Sequence, residues 1–86
     1  HRFVYAIALH DTGKPRQAVV QLQALLRQLP RDQEVLLALA NYSAELGERD
    51  KARAYARTLT QIAPRNHGYQ QLLQSLSDSG AQRPGP

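Results

Sequence analysis

The sequence predicts an all-α fold: an α-solenoid of antiparallel helix pairs, about two and a half units long. Three observations lead there. The stretch "TGKPRQAVVQLQALLRQLP", residues 12–30, has the same outline as "LGERDKARAYARTLTQIAP", residues 46–64. The two align at a spacing of 34 residues, as between Gly13 and Gly47, and the same shift lays Ala6 on Ala40, Ala18 on Ala52, Leu25 on Leu59 and Pro30 on Pro64. Apolar residues recur at helical spacing within each stretch, as with Leu22, Leu25 and Leu26. A fixed period with punctuation in matching places is the mark of stacked supersecondary units, because one helix pair cannot bury its own apolar faces.

Taken in order, the pattern gives five helices, at about 1–12, 15–29, 33–46, 49–62 and 67–78. Gly13 and Gly47 follow apolar helical segments, where a left-handed residue ends the helix and glycine adopts it without penalty. Pro15 suits the first turn of the second helix, where its missing N–H costs nothing. Ala18 and Ala52 fall where the two helices of a pair cross and a small side chain permits close approach. Pro30 and Pro64 close the second helix of each pair, and Asp32 or Asn66 caps the helix that follows. In the fifth helix Tyr69, Leu72, Leu73 and Leu76 make one stripe opposite Gln70, Gln71 and Gln74, the pattern of a helix that caps a stack. The end of the chain, "SDSGAQRPGP", has no apolar pattern, and residues 79–86 are expected to be a disordered tail. The domain is therefore expected over residues 1–78.

The first helix is different. "FVYAIAL" is apolar on all sides, which calls for neighbours on more than one face. Two arrangements satisfy it: an upstream repeat or domain, or a second copy of the chain in a homodimer. The chain opens at His1, without methionine and already inside the apolar pattern, and reads as a piece of a longer protein.

Composition excludes several classes of function. The chain has 86 residues and no cysteine, so disulfides, thiolate catalysis, cysteine-ligated zinc and covalent haem attachment are not available to it. Lack of cysteine does not identify a compartment. A chain this short buries only about 60–65% of its unfolded surface, so modest stability is expected. The longest apolar run, Phe3 to Leu9, is far below the ~20 residues that span a bilayer, and no membrane partner is expected. The net charge of +4, from 11 Lys+Arg against 7 Asp+Glu, is mildly basic and serves solubility.

No catalytic constellation is visible. His1, His10 and His67 lack the i, i+4 spacing of a metal-binding pair, and no cofactor or metal is expected. Asp11 follows His10, but neighbours in a helix do not face each other. Ser43, Ser75 and Ser77 have no nucleophile-elbow context. "ERDKARAYAR" lacks the glycines of a phosphate loop. Its Arg49, Lys51, Arg53 and Arg57 are read as a solvated outer face. Nucleic-acid binding would need clustered basic residues with aromatic stacking partners, and only Tyr55 is near.

With these positions in place the chain resembles the tetratricopeptide repeat family, whose unit is an antiparallel helix pair of about 34 residues. The second repeat carries the resemblance best, through Leu36, Leu39, Ala40, Gly47, Ala52 and Pro64. It departs at Ser43, where tyrosine is usual and Tyr42 stands one place earlier, at Ala56, where an aromatic is usual, and at Leu59, where an alanine is usual. The first repeat keeps Ala6, Gly13, Ala18 and Pro30, with Leu9 for the tyrosine. The third contributes only its first helix, with Leu73 matching and Gln74 departing from the small residue. A narrower resemblance links the two repeat stretches to C-terminal repeat segments of bacterial multihaem c-type cytochromes; lacking CxxCH, this chain would carry no haem itself.

The family resemblance implies a non-enzymatic protein–protein interaction module that binds a peptide or neighbouring domain in a concave groove lined by the first helix of each pair. Carried over residue by residue, the groove positions are Phe3, Ile7 and His10, then Glu34, Leu37, Asn41 and Ala44, then Gln71 and Ser75. Members that clamp a C-terminal carboxylate use Lys and Asn here. Phe3 and Ile7 occupy the first two clamp positions, and no Lys or Arg stands at the matching places of the last helix, so no carboxylate clamp is expected. The alternative is a structural spacer or homodimerisation element of a larger protein, such as one of cytochrome type.

Overall fold

The computed structural model describes residues 1–81, with side chains as far as Asp78. Five helices follow in chain order: α1 Arg2–Asp11, α2 Pro15–Gln28, α3 Gln33–Glu45, α4 Arg49–Ile62 and α5 His67–Ala81. No strand occurs among the described residues. α5 continues past the expected end at 78 as far as Ala81, and the remainder of the expected tail, 82–86, lies outside the described residues.

The helix ends follow the local chemistry. Gly13 and Gly47 take φ of 85° and 78°. At the first, the N–H of Gly13 donates to the carbonyl of His10 at 3.1 Å and that of Lys14 to Leu9 at 2.8 Å. At the second, Gly47 donates to Ala44 at 3.0 Å and Glu48 to Ser43 at 2.9 Å. These paired bonds close the last turn and satisfy carbonyls that have no partner within the helix. Pro15 opens α2 as its first residue.

The connections between pairs are also repeated. The N–H of Asp32 donates to the Leu29 carbonyl at 3.1 Å, and that of Asn66 to the Ala63 carbonyl at 3.0 Å. Each turn carries proline at its second position, Pro30 or Pro64, where the fixed φ suits a β-turn. The same Asp32 and Asn66 then cap the next helix: their side-chain oxygens accept from the N–H of Val35 and of Tyr69, both at 3.0 Å.

The molecule measures 44 × 31 × 17 Å, and its thinnest dimension fits two helix layers whose axes lie about 8–10 Å apart. α1 packs on α2, α2 on α3, α3 on α4 and α4 on α5. The main core joins α1, α2 and α3 through Ala6, Leu9, Ala18, Val19, Leu22, Val35, Ala38, Leu39 and Tyr42. A second cluster of Ala52, Ala56 and Leu76, with Ala44, Leu72 and Leu73 around it, joins the end of α3, α4 and α5. The four matched alanines, Ala6, Ala18, Ala40 and Ala52, are all fully buried, one from each helix of the two complete pairs. Ser43 is fully buried as well, and its hydroxyl has no hydrogen-bond partner among the described residues.

The basic run of α4 departs from a plain solvated face. Arg49 and Arg53 both donate to the Leu76 carbonyl of α5 at 3.5 Å, and Arg53 also pairs with Asp50. Lys51 lies 3.8 Å from Glu48. The neighbouring helix supplies acceptors that a single-helix projection of α4 does not include.

Candidate functional site

The face formed by α1, α3 and α5 follows from the repeat register. The shift that aligns Gly13 with Gly47 also makes Phe3, Leu37 and Gln71 equivalent, as it does Ile7, Asn41 and Ser75. Bonds between these helices hold the row together. The Tyr69 hydroxyl of α5 donates to the Gln33 side-chain oxygen of α3 at 2.9 Å, and His10 of α1 reaches Glu45 of α3 at 2.7 Å.

The nine expected groove residues divide into two groups. Phe3, Ile7, His10, Leu37 and Ala44 are half-buried, whereas Glu34, Asn41, Gln71 and Ser75 are exposed. Phe3 and Ile7 rest against the main core, so each has a packing role in this chain as well as a face to solvent. Phe3 and Glu34 line one cavity of about 360 Å³ between the start of α1, the end of α2 and the start of α3, together with Leu25, Leu29 and Val35. Ala44 packs against the second cluster, as Leu72 and Leu73 of α5 do. The Ser75 hydroxyl donates to the Leu72 carbonyl of its own helix at 3.1 Å.

His10 is more constrained than a simple groove residue. Its ring lies on that of Tyr42, with centroids 3.9 Å apart and parallel planes. Nε2 is 2.7 Å from a Glu45 carboxylate oxygen, and Nδ1 is 3.1 Å from one of Asp11. The contact to Asp11 corrects the expectation from helix geometry: both residues stand in the last turn of α1, and their side-chain ends meet although their positions on the helix do not face each other. The Glu45 hydrogen bond, with a smaller contribution from Asp11, raises the His10 pKa above the ordinary imidazole value, against the opposing effect of burial. Burial, and then the nearby Asp11 and Glu45 charges, push the Tyr42 phenol up.

Tyr42 and Glu45 were not legible as partners of His10. The available trace was the matching of acidic Asp11 and Glu45 by the period; the two carboxylates converge on one imidazole. Among the described residues no group of three His, Cys, Asp or Glu side chains is placed to hold a metal, and no helix is long and apolar enough to cross a membrane.

A larger cavity, about 630 Å³, opens between α2 and α4, away from every expected groove residue. Across it the Gln23 side-chain amide donates to the Tyr55 hydroxyl at 3.3 Å. The sequence offered a single hint of it: Tyr55, an aromatic on an otherwise polar stretch of α4.

No curated protein matches the chain in a sequence search. A family model described as Tetratricopeptide repeat matches residues 9–76, which takes in the end of α1, all of α2, α3 and α4, and most of α5. With the 34-residue period, the glycine and proline punctuation and the paired helices lying within that match, the chain belongs to the tetratricopeptide repeat family.

Proposed function

We propose that this domain holds a partner peptide or a neighbouring domain against the α1–α3–α5 face. Repeats of this family generally mediate protein–protein interaction, and solenoids offer extended concave surfaces for it. The observation that supports this face is the half-exposed state of Leu37. It stands in register with Phe3 and Gln71, and α3 buries seven other residues but leaves this leucine partly open. The row runs from apolar at Phe3 and Ile7 to polar at Gln71 and Ser75, which suits an amphipathic helix or an extended segment with one or two apolar anchors.

The test is selection of binders from a displayed random peptide library, followed by affinity measurement with Leu37→Asp and with the Phe3→Asp, Leu37→Asp double variant. Circular dichroism checks that each variant is folded. Loss of affinity of about tenfold or more is expected for a central apolar anchor. Unchanged affinity in the folded variants would remove this face from consideration.

A second reading, self-association through α1, rests on a different comparison. Val4 and Tyr5 are 65% and 54% exposed, whereas their equivalents in α3, Ala38 and Leu39, are 9% and 0% exposed beneath the preceding helix. α1 thus presents an apolar strip at the register positions where α3 receives α2. Light scattering across a wide concentration range tests this reading, which expects a dimer that dissociates on dilution and is abolished by Val4→Glu. A monomer at every concentration rejects it.

A further inference from the structure

The α2–α4 groove takes no part in either reading, yet it has the composition of a docking site. Its volume is within the range of ligand clefts, about 300–1,000 Å³. Leu26 of α2, Leu36 of α3 and Ala54 of α4 give it an apolar lining, and Leu36 is only 2% exposed. Among its polar groups Arg27 and Tyr55 supply donors, while Gln23 and Thr58 keep acceptor oxygens, the Thr58 hydroxyl donating to the Ala54 carbonyl at 3.1 Å. Arg27 lines it and makes no ion pair among the described residues. The Tyr55 hydroxyl accepts from Gln23 and leaves its own proton undonated. No carboxylate lines the groove; α2 contains none, and α4 has none after Asp50. Two further cations stand beside it in the chain, Arg31 after Pro30 and Arg57 before Thr58.

An apolar slot bordered by Arg27, Arg31 and Arg57 and by an unused hydroxyl donor, with no carboxylate in its lining and Asp32 as the acid next to Arg31 in the chain, is complementary to an acidic segment carrying one large apolar side chain. We propose that the α2–α4 groove docks such a peptide. Its aliphatic or aromatic side chain enters between Leu26, Leu36 and Ala54, and a flanking carboxylate takes the Arg27 guanidinium and the Tyr55 hydroxyl. This surface is separate from the α1–α3–α5 face, so the chain would engage two partners, or two segments of one partner, at once.

The probe is a short fluorescein-labelled peptide with a single leucine flanked by glutamates, read by anisotropy on the full chain. Two controls accompany it, one with glutamine for every glutamate and one of polyglutamate without leucine. The expected result is binding of the Glu/Leu peptide, with both controls weaker by about tenfold. Arg27→Glu should weaken it by about tenfold or more, and Ala54→Trp, which fills the groove from an exposed position, should abolish it. The Phe3→Asp, Leu37→Asp variant should bind it unchanged, which keeps this result separate from that for the other face. No binding of the Glu/Leu peptide, equal binding of polyglutamate, or unchanged binding by folded Arg27→Glu and Ala54→Trp each overturns the proposal.

Discussion

His10 and Tyr42 stack face to face across the α1–α3 boundary, with ring centroids 3.9 Å apart and parallel planes. The stack joins the first helices of two successive repeats, and Glu45 and Asp11 hold the imidazole edge on either side. In the imidazolium form both ring nitrogens donate to carboxylates; the neutral ring retains one donor for two acceptors.

This arrangement makes stability depend on pH. The folded-state pKa of His10 is raised, so its contribution is fully present below the unfolded value of about 6.5 and is lost as pH rises through the higher folded value. The melting temperature of the wild type should therefore fall more steeply than that of His10→Phe as pH rises above about 6.5. His10→Phe keeps an aromatic ring on Tyr42 and lacks the proton. Thermal melts of both proteins across that window decide it, and parallel curves would exclude the coupling.

Ser43 buries a hydroxyl with no partner among the described residues, at the position where the family usually places tyrosine. A buried unpaired hydroxyl loses its hydration without compensation, and serine is a weaker helix former than alanine. Ser43→Ala should stabilise the domain by about 0.5–1 kcal/mol in urea titration. A loss of stability would show that the hydroxyl is satisfied by ordered water.

Gly47 ends α3 at a φ of 78°, and a Cβ added there would meet no atom within 4 Å. The cost of a side chain is therefore conformational rather than steric. Gly47→Ala should destabilise by about 1–2 kcal/mol, with Gly47→Asn costing less because asparagine tolerates the left-handed region. Equal losses for alanine and asparagine would contradict this account.

Ala52 and Ala54 are two residues apart on α4, one fully buried and the other exposed. Ala52→Leu forces extra volume into the fully packed α3–α4 crossing and should cost about 1–3 kcal/mol. Ala54→Leu should change stability by less than about 0.5 kcal/mol. Chemical denaturation of the pair checks the contrast, and similar values would mean that the crossing has slack.

The sequence by itself determined the period, the five helices and most of the residues that begin and end them, the end of α5 at Ala81 rather than 78 being the exception. Those features arise from interactions a few residues long: a glycine free to adopt positive φ, a proline without an N–H, an Asp or Asn oxygen that reaches an amide three positions on. It also placed Phe3, Leu37 and Gln71 in one row, because equal spacing in a repeat becomes equal position in the stack. Only the tertiary structure decided which side chains meet across separate helices. Asp11 and Glu45 converge on His10, Arg49 and Arg53 reach the Leu76 carbonyl, and a groove opens between Arg27 and Tyr55. Such meetings depend on the angle and offset with which one helix pair settles on the next. Those quantities are set by the summed packing of many buried residues, and no local stretch of the chain encodes them.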